Sequence, residues 1–122
     1  MNYYTAPQTI LGKFPEKYKD VVIEIVAKEY NLTVDAIKAR TRAWESSIPR
    51  MVCMHLLDGI ISIPRPSIPS LFGMNRTSFY HADRAVRNLM DTDKNFRAAY
   101  VRMHTRATLE IERLEGMVCE SE

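Results

Sequence analysis

Apolar side chains recur every three to four residues along most of the chain, which is the spacing of one face of an α-helix. The first such segment, residues 16–30, follows Pro15, a residue favoured at helix starts, and stops at Asn31, which tolerates the left-handed conformation. Thr33 is suited to cap a short second helix over residues 34–39. No segment shows the alternation that a half-buried strand requires.

The third segment, residues 47–61, is apolar on nearly every side, which is typical of a helix buried at the centre of a domain. Prolines then exclude a long helix, and we expect a short one over residues 67–72 that ends at Gly73. A fifth helix follows over residues 75–90, and a long last helix over residues 93–115. A short helix, a glycine turn and a longer helix form the order of a helix-turn-helix. The sequence therefore predicts an all-α fold of about six helices with a helix-turn-helix.

The predicted fifth helix has two different sides, and Asn75 or Thr77 is suited to cap its start. On a helical projection, a core stripe lies opposite side chains that can bond phosphate or base edges. In helix-turn-helix proteins the start of the second helix enters the major groove. We therefore expect Arg76 to bond a guanine edge and Thr77 to touch a thymine methyl; the alternative is an ordinary amphipathic surface helix. The core stripe is Phe79, Ala82, Val86 and Leu89, and the outward groups are Arg76, Thr77, Tyr80, His81, Arg84, Arg87 and Asn88.

The 122 residues carry a formal net charge of +2 at pH 7, but the charges are unevenly distributed. Residues 38–50 carry 4 basic and 1 acidic side chains, residues 51–75 carry one of each, and residues 76–106 carry 7 basic and 3 acidic. Residues 107–122 carry 1 basic and 5 acidic side chains. The two basic blocks suit a polyanion such as double-stranded DNA if the fold brings them to one face. The alternative is a set of scattered, solvated arginines.

Other chemistry finds little support in the sequence. Cys53 and Cys119 do not indicate a disulfide framework, so a cytoplasmic protein, associated with the nucleoid if it binds DNA, is expected. Cys53 and His55 point in different directions from one helix, which argues against a zinc site. There is no glycine-rich phosphate loop and no catalytic grouping, so we expect neither enzyme activity nor a cofactor. No apolar run is long enough to span a membrane.

Residues 26–105 resemble the C-terminal DNA-binding domain of the bacterial replication initiator DnaA. The segment VAKEYNLTVDAIKAR, from Val26, is similar to the first two helices of that domain, and PRMVCMHLL, from Pro49, is similar to its central helix. The segment FGMNRTSFYHADRAV, from Phe72, is similar to the family signature FGGRDHTTVLHA. The resemblance implies a helix-turn-helix domain that binds double-stranded DNA, without the ATPase domain of the initiator.

The resemblance also implies roles for individual residues. The family's minor-groove arginine falls on Arg42, with Arg40 alongside, and its phosphate-binding arginine falls on Arg50. The Asp-His-Thr-Thr part of the signature falls on Asn75, Arg76, Thr77 and Ser78. One residue of the signature is missing before Asn75, and the groups that would read DNA differ from those of the initiator. The residues that replace the family's own are Met51, Met74, Asn75 and Arg76.

These patterns divide the chain into an arm (residues 1–14), a helix-turn-helix domain (15–106) and an acidic extension of the last helix (107–122). We expect a small phage or bacterial regulator of transcription or replication. The alternative is an interaction module that no longer binds DNA specifically and docks on replication or transcription proteins. The apolar line of the last helix continues past the resemblance, which predicts either a homodimer through this helix or packing of the tail inside the domain. The continuing residues are Ala107, Ile111, Leu114 and Val118.

Overall fold

A computed structural model of the protein describes residues 13–38 and 47–120, with side chains described to residue 116. The described residues form five α-helices and three short 3₁₀ turns, and they contain no strand beyond one isolated bridge. The helices are α1 (Lys19–Glu29), α2 (Val34–Lys38), α3 (Ser47–Ile60), α4 (Thr77–Thr92) and α5 (Lys94–Glu120). The 3₁₀ turns are Glu16–Tyr18, Arg65–Ser67 and Pro69–Phe72. The predicted all-α fold is confirmed, and none of the described helices is long and apolar enough to cross a membrane.

Local signals in the sequence set several helix ends. Asn31 and Gly73 have φ angles of 58° and 66°, so both take the left-handed conformation that stops a helix. The Thr33 hydroxyl oxygen accepts a backbone N–H of α2 at 3.0 Å, which is the predicted cap. The Asp93 carboxylate accepts two backbone N–H groups of the first turn of α5, at 3.0 and 3.1 Å.

Two predictions for the helix-turn-helix region are wrong in detail. The short helix expected over residues 67–72 is part of a pair of 3₁₀ turns. Pro66 and Pro69 lie in these turns and lack the N–H that an α-helical hydrogen bond needs, which explains the tighter form. The N-cap residue of α4 is Arg76, which already has helical φ and ψ angles and forms no side-chain cap bond. The predicted cap by Asn75 or Thr77 is therefore not formed. The order of short element, glycine turn and long helix is nevertheless kept.

The helix α3 is the centre of the domain, as its apolar surface predicts. It packs against α1, α2, α4 and α5. Burial raises the pKa of the Cys53 thiol, so this side chain stays protonated and serves as a small core residue. The buried apolar side chains of α3 are Val52, Cys53, Met54, Leu56, Leu57 and Ile60.

Two residues of the extension, Ala107 and Ile111, belong to the core. Ala107 and Ile111 are fully buried, and α5 packs along α1. The Tyr18 hydroxyl donates a hydrogen bond to the Glu115 carboxylate at 2.6 Å, which ties this part of α5 to the 3₁₀ turn before α1. Of the two alternatives for the tail, internal packing is the one observed for these residues. The exposed apolar line that motivates a homodimer is absent at Ala107 and Ile111.

This packing predicts different costs for two neighbouring changes on α5. Ile111→Ala should lower the free energy of unfolding by about 2–5 kcal/mol, because it removes buried methyl and methylene groups and leaves a cavity. Leu109→Ala is the matched control, since Leu109 is 59% exposed, and should change it by less than about 0.5 kcal/mol. Urea titrations followed by circular dichroism measure both. Equal costs would contradict the placement of the extension in the core.

Candidate nucleic-acid interface

The helix α4 presents one side to the core and the other to solvent, as predicted. Phe79, Ala82 and Val86 are buried, with 2% or less of their surface exposed. Tyr80 and Arg84, one turn apart on the opposite side, are exposed, and Tyr80 is exposed to 60%. At 1.5 Å per residue, the eight steps from the N-cap residue Arg76 to Arg84 span about 12 Å, close to the width of the DNA major groove.

The turn before α4 fixes how this helix leaves the body of the domain. Phe72 is fully buried and anchors the second 3₁₀ turn. The N–H groups of Gly73 and Met74 donate to carbonyls of that turn at 3.1 and 3.0 Å, which closes it. The residues at the start of α4 then emerge at the surface: Asn75, Arg76 and Thr77 are exposed, and Ser78 is half-buried. Most of the predicted DNA contacts thus lie on α4 and the turn before it, among them Asn75, Arg76, Thr77, Ser78, Tyr80, Arg84 and Arg87.

A chain of polar contacts links α4 to α3 and α5. The Nε2 atom of His55 on α3 lies 3.2 Å from Oδ1 of Asp83 on α4. The other Asp83 oxygen lies 3.0 Å from Nε of Arg87, one turn further along α4. On its far side, Nδ1 of His55 makes a short hydrogen bond with the Tyr100 hydroxyl of α5. These polar contacts hold the Arg87 side chain along the outward side of α4. Arg87, one of the predicted DNA contacts, is therefore already paired with Asp83.

Burial favours the neutral form of His55 and of His104. It lowers the pKa of His55 below the ordinary 6.5, with Arg87 also lowering it and Asp83 and Asp58 opposing the shift. The neutral ring suits the contacts, because Nε2–H can donate to Asp83 while Nδ1 accepts from Tyr100. Burial also lowers the pKa of His104, helped by the proximity of His55. The Nδ1 atom of His104 is buried and has no hydrogen-bond partner in the described part of the chain.

Arg50 has a different environment from the one that the resemblance implies. It is only 5% exposed, and its Nε donates to the carbonyl oxygen of Ile37 at 2.9 Å. The bond fastens the last turn of α2 to the first turn of α3, so the observed contact of Arg50 is structural. A phosphate contact for Arg50 stays a prediction. Arg40 and Arg42, the predicted minor-groove residues, lie outside the described residues.

The sequence analysis missed Arg65, which the structure places beside α4. The guanidinium carbon lies 5.6 Å from the centroid of the Phe79 ring. No spacing in the sequence signals this contact, because Arg65 and Phe79 belong to different elements that the turn at Gly73 brings together. Elsewhere, the described residues contain no group of three or more His, Cys, Asp or Glu side chains that could hold a metal ion.

A short 3₁₀ element, a left-handed glycine turn and an amphipathic helix with an exposed polar side define a helix-turn-helix protein. Residues 19–86 match the family described as "Bacterial dnaA protein helix-turn-helix", and the chain belongs to that family. The matched range extends from the start of α1 into α4, so it holds the whole helix-turn-helix up to Val86 and excludes α5.

Relatives of known identity lead to the same family. The chain is 31% identical over 104 residues to the chromosomal replication initiator protein DnaA of Neisseria meningitidis, and equally similar to that of Neisseria gonorrhoeae; each match covers 81% of this chain. It is 34% identical over 76 residues, 62% of this chain, to the protein of the same name from Latilactobacillus sakei. The chain spans only about a fifth of these relatives, 20% of the first two and 17% of the third.

The neutral histidines predict a loss of stability in mild acid. The unfolded chain binds protons on His55 and His104 near pH 6.5, whereas the folded chain binds them only at lower pH. The free energy of unfolding should therefore be highest above about pH 7 and decline as the pH falls to about 5.5. Urea titrations across this range measure the decline. A variant with both residues replaced by glutamine should lose most of it, and an unchanged decline in that variant would contradict the assignment.

Proposed function

We propose that the protein binds double-stranded DNA, with the start of α4 in the major groove. The observation that carries the proposal is the exposed row of polar and basic side chains on α4, held outward because the opposite side is buried. Helix-turn-helix proteins place this segment against base edges. In this interpretation Arg76 and Thr77 read bases, whereas Asn75 and Ser78 orient the first turn against the sugar-phosphate backbone.

The later turns of α4 suit positioning more than reading. Arg84 is exposed, and Arg87, although paired with Asp83, keeps 72% of its side chain exposed. Both guanidinium groups can contact phosphates along one wall of the groove. The exposed ring of Tyr80 lies between this region and the reading turn, where it can pack on a sugar or donate its hydroxyl to a phosphate.

A second contact region is proposed for the loop that leads to α3. Arg42, with Arg40 beside it, would enter the adjacent minor groove, where narrow A·T-rich DNA concentrates negative potential. Arg50 would then act on DNA mainly through this loop, because its bond to Ile37 fixes the start of α3 at the loop's far end. The proposal makes Arg50 a positioning residue and Arg42 a direct contact.

On this basis the protein is a small regulator of transcription or replication that acts at the nucleoid. The alternative function, a module that docks on replication or transcription proteins, is favoured by one observation. A groove of about 740 Å³ lies between α1 and the second half of α5, and both Ile25 and the exposed Leu109 line it. A homodimer through the same surface would use this groove. Binding experiments with DNA separate the two functions.

Binding of duplex DNA should depend strongly on salt. Each phosphate contact releases condensed counterions, so the logarithm of the binding constant falls by about 0.9 per contact for each tenfold rise in salt. Fluorescence anisotropy with a mixed-sequence duplex at several salt concentrations measures this slope. The absence of binding at low salt would reject the DNA-binding proposal in favour of the interaction module.

Reading and positioning residues should behave differently. Arg76→Ala should reduce discrimination at one base position by about 1–3 kcal/mol, because a bidentate base contact is lost. Arg84→Ala, the matched change two turns further along α4, should weaken all sequences by a similar factor. Selection from a random duplex library, followed by titration of the enriched sequence and a scrambled one, measures both effects. If Arg76→Ala weakened the two duplexes equally, α4 would not be the reading helix.

A further inference from the structure

Two basic side chains, Arg65 and Lys13, meet between the end of α3 and the helix-turn-helix, although the charge count of this segment does not show them. Residues 51–75 are neutral in sum, with Asp58 and Arg65 as their two charged side chains. The structure adds Lys13 to them from outside this segment. The Nε atom of Arg65 lies 3.1 Å from Oδ1 of Asp58, and Nζ of Lys13 lies 3.8 Å from the same oxygen. Two cations therefore share one carboxylate, and the cluster has a net charge of +1.

The fold fixes the backbone from which each cationic side chain extends. Lys13 precedes Phe14, whose N–H donates to the carbonyl of Ile60 and whose carbonyl accepts from the N–H of Ser62, both at 2.9 Å. These two bonds hold the start of the described chain against the end of α3. Arg65 begins the first 3₁₀ turn of the helix-turn-helix.

Arg65 also lies beside α4, over a ring of its buried side that borders the exposed Tyr80. Its guanidinium covers the Phe79 ring, which itself packs edge-on against the ring of Tyr80. The hydrogen bond to Asp58 raises the pKa of Arg65 most, and Asp83 and Tyr80 of α4 raise it further, which places these groups within electrostatic reach. The side chain of Arg65 is 58% exposed. Within the described residues, its Nη groups donate to no protein acceptor, so they are available to a ligand.

We propose that Arg65 and Lys13, oriented by Asp58, bind one backbone phosphate at the edge of the groove that α4 enters. The planar guanidinium suits phosphate oxygens, and the lysine ammonium adds a point charge. In helix-turn-helix proteins the element before the reading helix crosses the DNA backbone, and Arg65 begins that element here. This inference rests on the proposed function, because the phosphate belongs to the same duplex.

The test compares two exposed arginines that are each paired with a carboxylate. Arg65→Ala should weaken a selected and a scrambled duplex by the same factor and make the salt slope shallower by about 0.9. Arg102→Ala is the control: the Arg102 side chain is 56% exposed and pairs at 2.6 Å with Glu29 of α1, away from α4. The control removes the same charge and should leave the affinity and the slope nearly unchanged. Arg65→Lys, which keeps the charge but not the planar fork, should retain part of the affinity.

The outcomes separate this inference from the proposed function. If the unaltered chain binds DNA with a steep salt slope and Arg65→Ala retains that slope and affinity, the phosphate contact is wrong and DNA binding stands. Loss of affinity for the selected duplex alone would also overturn it, because that result identifies a base contact. Equal losses of affinity in Arg65→Ala and Arg102→Ala would also overturn the inference, because they would show that the effect comes from the change in net charge. Urea titration of both variants, which should show nearly unchanged stability, excludes unfolding as the cause.

Discussion

Burial of α3 is the constraint on which the rest of the structure depends. A helix that is apolar on nearly every side needs partners on every side, and α1, α2, α4 and α5 provide them. Because α4 gives Phe79, Ala82 and Val86 to this core, the geometry of the helix turns Tyr80 and Arg84 outward. The exposed basic row is therefore a direct consequence of how the core is filled. The buried side of α4 also holds the helix in place against the core.

The polar contacts that run from Tyr100 through His55 to Asp83 hold the one carboxylate that lies among the basic residues of α4. A carboxylate repels phosphate, and Asp83 lies one residue from Arg84, on the side of α4 that is proposed to face DNA. Its two oxygens are directed to His55 and to Arg87, and only 26% of its side chain is exposed. Asp83 thus braces α4 against α3 while its charge is offset by an arginine on the outer side. Asp58 shows the same arrangement with Lys13 and Arg65, so each of these two carboxylates is paired with at least one cation.

Sequence reasoning succeeded where a residue type has its own conformational or burial preference. Asn31 and Gly73 end their segments because each can take a positive φ, and α3 is central because its apolar side chains surround it. It failed where the outcome depends on a tertiary neighbour. Nothing in the spacing shows that Arg50 turns inward to a carbonyl of α2, or that the turn at Gly73 places Arg65 over Phe79. The packing of Ile111 was likewise open, since an apolar stripe does not specify which surface it meets.

The placement of the unusual signature residues explains how the chain keeps the family's scaffold with different side chains at the start of α4. Met74 is half-buried, whereas Asn75 and Arg76 are exposed and contribute no cap to α4. Substitutions at exposed positions such as these usually change the free energy of unfolding by no more than about 0.5 kcal/mol. These residues can therefore vary while Phe72 and Phe79 hold the turn and the helix in place. Family membership therefore specifies the geometry with which α4 is presented. It does not specify the DNA sequence, because the side chains that would meet the bases are the ones the core does not constrain.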